Sequence, residues 1–186
     1  MTASDQELRF ERAVLVHLDA AHNLARWMTG DAQAAQDVVQ EAALRALRFL
    51  DQQSGDSPRA WFLAIVRNAS LDALQDRRRR TRDETPFDEE LHPADGPTGL
   101  SRAPENPETL AIRAADAHWV RACIERLPVD YREVIVLREL EQLSYKEISA
   151  IVAVPIGTVM SRLARGRDLL AQSMLNARHK QDGLEA

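Results

Sequence analysis

The chain has 186 residues, of which 45% are hydrophobic, and it carries a formal net charge of −5 at pH 7. This length suffices for one or two small globular domains, and the apolar runs are too short and too interrupted to span a membrane. The first ten residues lack a basic stretch followed by an apolar segment, and the single cysteine cannot form an internal disulfide, so we expect a cytoplasmic protein without membrane insertion.

Three main helices are predicted in a first domain, residues 1–81. One spans roughly residues 5–28. A second begins after Asp31, a good N-cap, and carries the apolar residues Val38, Val39, Ala42, Ala46, Leu47 and Leu50. A third begins at Ser57 and Pro58, an N-cap followed by proline at the first helical position. Its expected core anchors are Trp61 and Phe62.

Charge is distributed unevenly along the chain. Residues 67–82 and residues 155–180 each carry a net charge of +4, whereas residues 83–108 carry −7. The segment 82–108 also holds five of the eight prolines, which is typical of an extended, flexible linker. Two basic segments on an acidic tether are typical of two modules that face nucleic acid, although two solvated helix ends give the same pattern.

A second helical domain is predicted over residues 109–180, followed by a short tail, 181–186. In the segment LSYKEI, Ser144 and Glu147 have the spacing of a capping box, which predicts the start of a short helix. Only a few residues separate that helix from the next, so the pair is predicted to form a helix-turn-helix. No alternating pattern predicts a strand, and the expected fold class is all-α, with two small helical domains joined by a flexible acidic linker.

The second helix of this motif has two faces. Ile156, Val159 and Leu163 recur at helical spacing as an apolar stripe, and we expect Gly157 to let the helix lie close to the preceding one. The other face is polar and basic: Thr158, Ser161, Arg162 and Arg165. In a helix-turn-helix the start of the second helix lies in the DNA major groove, where arginine bonds base edges or phosphates.

Four segments carry a resemblance to a known family. They read DVVQEAALRAL (37–47), WFLAIVRNASLDAL (61–74), LPVDYREVIVLRELEQLSYKEISAIV (127–152) and VPIGTVMSRLARGR (154–167). In this order, around an acidic linker, they resemble the bacterial RNA polymerase sigma factors of the extracytoplasmic-function (ECF) type, which belong to the sigma-70 superfamily. The resemblance covers nearly the whole chain outside the linker and the two ends.

The resemblance implies partners and site residues. The first domain is expected to bind the clamp of core RNA polymerase through Asp37, Gln40 and Glu41. It is also expected to open the promoter −10 element and to hold an extruded base at Asn68, whose amide offers both a donor and an acceptor. The residues predicted to contact the −10 element are Gln53, Arg67, Asn68, Arg77, Arg78, Arg79 and Arg80. The residues predicted to contact the −35 element are Arg138, Thr158, Met160, Ser161, Arg162 and Arg165. Members of the family are commonly controlled by an anti-sigma factor, and no cofactor is expected.

The sequence departs from the family pattern at two places. Gln53 stands where several relatives carry an aromatic residue that helps to hold the flipped base. Met160 and Ala164 occupy positions that are basic or bulky in many relatives. Recognition of the −10 element is therefore expected to differ from that of relatives, and their base preference at the −35 element does not transfer to this chain.

Enzymatic interpretations find little support in the sequence. The five histidines are scattered, none forms H-E-x-x-H or pairs with a cysteine at metal-ligand spacing, and there is no phosphate-binding glycine loop. The clustered carboxylates of residues 88–90 lie in the predicted linker. Two non-enzymatic alternatives stay open: a dimeric helix-turn-helix repressor or activator, and a sigma-like module that sequesters a regulator without binding DNA.

Overall fold

The computed structural model describes residues 3–53, 57–83 and 119–182. All regular structure within these ranges is helical. Most of the predicted linker and residues 183–186 of the tail lie outside the described residues. The helices are α1 (Ala3–Ala13), α2 (Leu18–Thr29), α3 (Ala32–Arg48), α4 (Pro58–Asp83), α5 (119–125), α6 (Val129–Ile135), α7 (Tyr145–Val152) and α8 (Ile156–Asp182). Two 3-10 turns, Leu15–His17 and Leu50–Gln52, and one π-helical turn, Val136–Leu140, complete the regular structure in this part of the chain.

The prediction of one continuous helix over residues 5–28 is wrong. The chain leaves the helical conformation at Val14, where φ is −126° and ψ is −59°, and a 3-10 turn separates α1 from α2. Val14 is buried, whereas the adjacent Leu15 and Val16 are exposed. Valine is stiff at χ1 and has a modest helix propensity. Burial of Val14 therefore outweighs the weak helical preference of this segment and determines its backbone conformation.

Both predicted helix starts in the first domain are confirmed. The Asp31 side chain accepts a hydrogen bond from the Ala34 amide at 2.7 Å, and the chain reaches it through Gly30, which ends α2 in the left-handed conformation with φ of 74°. The Ser57 hydroxyl accepts from the Ala60 amide at 3.2 Å, so Pro58 occupies the first position of α4. Both caps satisfy amides that have no partner inside the helix.

The core of the first domain lies among α2, α3 and α4, which pack against one another. Phe62 is fully buried there, and Trp61 packs against the core from a half-buried position. Five of the six apolar residues expected on the buried side of the second predicted helix are buried; Leu47 is exposed, beside the exposed Leu44.

In the second domain the helix-turn-helix is formed by α7 and α8. The capping box is present: Ser144 accepts from the Glu147 amide, and the Glu147 carboxylate accepts from the Ser144 amide at 2.9 Å. The two helix axes differ by 97°, which is the geometry of this motif. Val159 is fully buried, but Ile156 is 45% exposed and does not belong to the buried stripe.

The expected role of Gly157 is wrong, and another glycine takes it. A Cβ atom at Gly157 would meet nothing within 4 Å. A Cβ atom at Gly166 would lie 3.1 Å from Cγ1 of Ile135 and 3.4 Å from Cβ of Tyr131. The close approach is therefore between α8 and α6, two turns further along α8 than the sequence pattern indicated.

The two domains pack directly on each other. Helix α4 contacts α7, and α2 contacts α6. The Arg132 guanidinium of α6 donates to the carbonyl oxygen of Trp27 at 3.1 Å and to that of Leu127 at 2.9 Å. Within the described ranges no single helix is long and apolar enough to cross a membrane, and only the bent pair α7 and α8 passes that test together.

Candidate protein-binding and nucleic-acid-binding surfaces

The first candidate surface is the polar face of α3. Asp37, Gln40 and Glu41 are exposed along one side of the helix, whereas Val38 and Ala42 are buried on the other. The amphipathic pattern DVVQEA produces this division because residues three and four apart share a helix face. These three polar side chains are therefore accessible to another protein.

A groove of about 550 Å³ runs between α3 and α4 beside this face, and Asp37 and Glu41 line it. Arg45 crosses the groove and bonds a carboxylate on each side, Glu41 at 2.8 Å and Asp72 at 3.0 Å. These exposed pairs add little stability. They nevertheless fix the side chain of Glu41, so the acidic end of the groove has a defined geometry.

The second candidate surface lies on α4. Asn68 is exposed, and its amide oxygen accepts a long hydrogen bond, 3.4 Å, from Nη1 of the adjacent Arg67. Gln53 ends the 3-10 turn before α4 and is half-buried. The four arginines 77–80 are exposed on the last turns of α4, and Arg79 lies 3.7 Å from Asp76.

Arg67 differs from its neighbours because it bonds the other domain. Its Nε donates to Oε2 of Glu133 at 2.7 Å, and its Nη2 donates to Oε1 at 3.1 Å. This is a bidentate pair, the strongest geometry for arginine and carboxylate. The side chain of Arg67 is only 15% exposed as a result.

Glu133 is fully buried and has a second cationic partner. Nη1 of Arg162 donates to Oε1 of Glu133 at 3.2 Å. Burial raises the pKa of the Glu133 carboxyl, and the hydrogen bond from Arg67 acts in the opposite direction. One carboxylate of α6 thus holds an arginine of α4 and an arginine of α8.

The third candidate surface is the start of α8. Ser161 and Arg165 are exposed, Met160 is exposed beside them, and Thr158 is half-buried. The expectation that Arg162 projects outward with this row is not met, because its side chain folds back toward Asp130 and Glu133. The reason is electrostatic: the Glu133 carboxylate is buried, and Arg162 lies within its reach as a second cation beside Arg67.

Arg138 lies in the π-helical turn that precedes the loop before the motif. Its Nη1 donates to the carbonyl oxygen of Leu143 at 2.8 Å, and its guanidinium stacks over the ring of Tyr145 at 4.9 Å. Cation–π contacts of this kind and a bond to a loop carbonyl both fix the chain that enters α7. In this structure Arg138 therefore holds the loop from residue 141 to residue 144.

Sequence reasoning missed Glu133, Glu141 and Arg132, which join the domains. Glu133 precedes the apolar run Val134–Leu137, and a carboxylate beside such a run is a signal of a buried charge that needs a partner. The sequence does not indicate which arginine pairs with Glu133.

Both domains match models of known protein families. The family model for sigma-70 region 2 matches residues 14–80, and that for sigma-70 region 4 matches residues 117–170. The RNA polymerase sigma-H factor of Pseudomonas aeruginosa is 37% identical over 145 residues, which are 77% of this chain and 75% of that protein. The ECF RNA polymerase sigma-E factor of Escherichia coli is 39% identical over 137 residues, 72% of this chain and 70% of that protein. The chain belongs to the ECF sigma factors.

Solved structures agree with this assignment. The sigma factor RpoE from Bartonella quintana, solved in complex with the anti-sigma factor NepR, superposes with a TM-score of 0.67 at 25% identity. The match covers 90% of this sigma factor and 96% of that chain.

Membership in the family confirms several of the expectations from sequence. Sigma factors bind core RNA polymerase and promoter DNA, act in the cytoplasm and are not enzymes. In this sigma factor, the region 2 match spans α2, α3 and most of α4, and the region 4 match spans α5, α6, α7 and the first half of α8. A dimeric repressor does not fit the match of both regions in one chain. A sequestering sigma-like module is separated from a sigma factor by promoter-dependent transcription.

Proposed function

We propose that this sigma factor contacts the clamp of core RNA polymerase through Asp37, Gln40 and Glu41. The observation that carries the proposal is the exposure of all three side chains on one face of α3, beside the groove between α3 and α4. A defined polar groove next to exposed carboxylates suits a charged helical partner.

In region 2, Asn68 takes the extruded base of the −10 element, and the arginines 77–80 bind phosphates near it. Asn68 is accessible, and its side chain can bond the Watson–Crick edge of a flipped base. Gln53 contributes hydrogen bonds where relatives use an aromatic ring. Arg67 joins this surface once it is released from Glu133.

In region 4, the start of α8 enters the major groove of the −35 element. Thr158, Met160, Ser161 and Arg165 form the contact, and arginine at such a position bonds guanine or a phosphate. Arg138 and Arg162 stabilise the helix-turn-helix through their hydrogen bonds to Leu143 and Glu133, respectively.

An anti-sigma factor controls the protein. The support for this part of the proposal is the Bartonella quintana sigma factor, which was solved with an anti-sigma factor bound and has the same arrangement of helices over most of its length.

Replacement of Asp37, Gln40 and Glu41 by alanine tests the clamp contact. We expect the variant to lose affinity for core polymerase in a competition assay, with its thermal unfolding unchanged, because exposed substitutions shift stability by only about ±0.5 kcal/mol. A double variant with alanine at Glu11 and Asp19, two exposed carboxylates of α1 and α2, is the matched control. Equal competition by the triple variant and the control would contradict the clamp assignment.

A further inference from the structure

The exposed side of α8 has an apolar edge near its start. Ile156 and Met160 are 45% and 53% exposed, and the exposed Ala164 follows them at the same spacing of four residues. Residues four apart lie on the same side of a helix, so these three side chains form one row along the first turns of α8. We name this row the apolar edge. Ile156, which the sequence pattern assigned to the buried stripe, thus belongs to an accessible apolar surface.

The apolar edge is continuous with the polar surface proposed to enter the −35 major groove. Arg165 is exposed on the other edge of the same surface, and Gly157 and Ser161 lie between the two edges. A Cβ atom at Gly157 would meet nothing within 4 Å, so the middle of the surface is open. A base pair that approaches α8 therefore meets a charged donor on one side and hydrocarbon on the other.

The apolar edge fits one group of the DNA major groove. Base edges in this groove carry hydrogen-bond donors and acceptors and a single kind of apolar group, the C5-methyl group of thymine. Ile156 offers no hydrogen bond, and the thioether of Met160 is only a weak acceptor. A polar base edge placed against them loses water without a replacement partner, whereas a methyl group gains from burial. The flexible methionine side chain can also adapt its shape to the methyl group.

The size and charge of the surface favour DNA over a protein as its partner. A standard protein interface buries about 800 Å² on each side, which is more than two half-exposed side chains supply. Residues 155–180 carry a net charge of +4, which attracts the phosphate backbone and brings the apolar edge to the bases.

We propose that Ile156 and Met160 contact thymine methyl groups in the −35 element and thereby determine part of the base preference of this sigma factor. The proposal rests on the placement of α8 in the −35 major groove made above. Four residues of a helix rise about 6 Å, and successive base pairs are about 3.4 Å apart. The two side chains therefore meet thymines in base pairs one or two steps apart, on either strand. A basic side chain at position 160 would instead bond a guanine or a phosphate.

Replacement of thymine by uracil tests the methyl contact directly, because uracil pairs in the same way and lacks only the methyl group. The probe is the duplex that the wild-type holoenzyme, assembled with core RNA polymerase, enriches from a pool of random promoter-length duplexes. Each thymine of its −35 element is replaced in turn, on both strands. We expect one or two of these replacements to weaken holoenzyme binding about four-fold each, as burial of one methyl group implies.

Two protein variants assign the methyl contact to the apolar edge. Met160→Ala and Ile156→Ala should each bind the thymine probe at least about four-fold more weakly than the wild type, and each should lose the effect of uracil at the position that it contacts. Leu175→Ala is the matched control, because Leu175 is an apolar residue of the same helix that is 60% exposed beyond the motif. It should keep both the affinity and the uracil effect. Thermal unfolding of all three variants should match that of the wild type, since the residues are exposed.

The outcomes separate this proposal from the placement of α8. Loss of the uracil effect in either alanine variant supports the contact by that residue. An enriched −35 element without thymine, or uracil effects that persist in both alanine variants, would overturn the methyl contact. If no uracil replacement matters while Arg165→Ala still weakens binding, the methyl contact is wrong and α8 remains in the groove. If Arg165→Ala and both alanine variants of the apolar edge bind like the wild type, the placement of α8 is wrong as well.

Discussion

At the scale of single residues, contacts with α6 explain why position 166 is a glycine and where the side chain of Arg162 points. The backbone of α8 at Gly166 lies against Ile135, and Arg162 reaches the buried Glu133. Both belong to the segment SRLARGR, in which a basic, helical pattern is plain. The pattern does not show that Arg162 points inward and Arg165 outward, because that depends on a carboxylate about thirty residues away in the chain.

A pair of substitutions separates the two glycines of α8. Gly157→Ala should raise the free energy of unfolding by up to about 1 kcal/mol, because alanine favours the helix and no atom lies within 4 Å. Gly166→Ala should lower it, since the new methyl group crowds the buried side chain of Ile135. Urea unfolding of the two variants measures the difference. A stabilisation by Gly166→Ala equal to that by Gly157→Ala would disprove the close approach.

Substitutions of Arg162 and Arg165 should also behave differently. Arg162→Ala leaves the buried Glu133 with one cation fewer and should destabilise the protein by about 1–3 kcal/mol. Arg165→Ala should keep the melting temperature, because the side chain is exposed, but weaken promoter binding by the holoenzyme. Thermal unfolding measures the change in stability, and promoter binding at a series of salt concentrations measures the change in DNA affinity. If Arg165→Ala leaves both the affinity and its salt dependence unchanged, Arg165 does not contact DNA.

At the scale of helices, local signals predicted the caps well. The starts of α3, α4 and α7 follow from side chains that bond amides within three residues, and such contacts can be inferred from sequence. The break at Val14 and the exposure of Leu47 and Ile156 could not be inferred, because each depends on how neighbouring helices pack. Residue type also does not indicate the positive φ of two described non-glycine residues, Gln142 and Ala153, both 55°. Ala153 adopts it as the left-handed residue that ends α7.

The capping box of α7 gives a pH-dependent prediction. Hydrogen bonds from the Ser144 amide and hydroxyl lower the pKa of Glu147 below its ordinary value of 4.5. A lowered carboxyl pKa adds stability that is complete above the ordinary value and is lost as the pH falls through the folded-state value. Glu147→Gln should therefore destabilise the protein by about 0.5–2 kcal/mol at pH 7 and by much less at pH 3.

Glu139→Gln is the control for this measurement, because Glu139 is an exposed carboxylate whose pair with Arg167 adds little. Thermal unfolding of both variants at the two pH values gives the comparison. An effect of Glu147→Gln that is the same at pH 7 and pH 3 would show that the carboxylate does not act in its charged form.

At the scale of the whole molecule, Arg132 joins the regions through the backbone. Its guanidinium bonds carbonyl oxygens at the end of α2 and in the turn before α6. Burial lowers its pKa without removing its charge in the neutral range. The division into two helical domains could be predicted from the charge pattern, but this docking could not, because main-chain acceptors have no sequence signature.

Arg132→Ala should uncouple the two regions. We expect its calorimetric trace to show a lower and broader transition than the wild type, since several buried carbonyl groups lose a charged donor. Arg126→Ala, at an exposed arginine six residues earlier, is the control and should leave the trace unchanged. A sharp transition at the wild-type temperature for Arg132→Ala would mean that the apolar contact alone joins the regions.

The sharing of Glu133 by Arg67 and Arg162 has an evolutionary consequence. A substitution of Arg67 removes one of the two cations beside a buried carboxylate, so a later loss of Arg162 leaves that carboxylate without either cation. Effects at residues with a common partner are not additive, so the order in which substitutions accumulate in one region depends on the state of the other. Natural recombination that exchanges region 4 between related chains can preserve this junction only where the recipient's region 2 already carries an arginine at the position of Arg67.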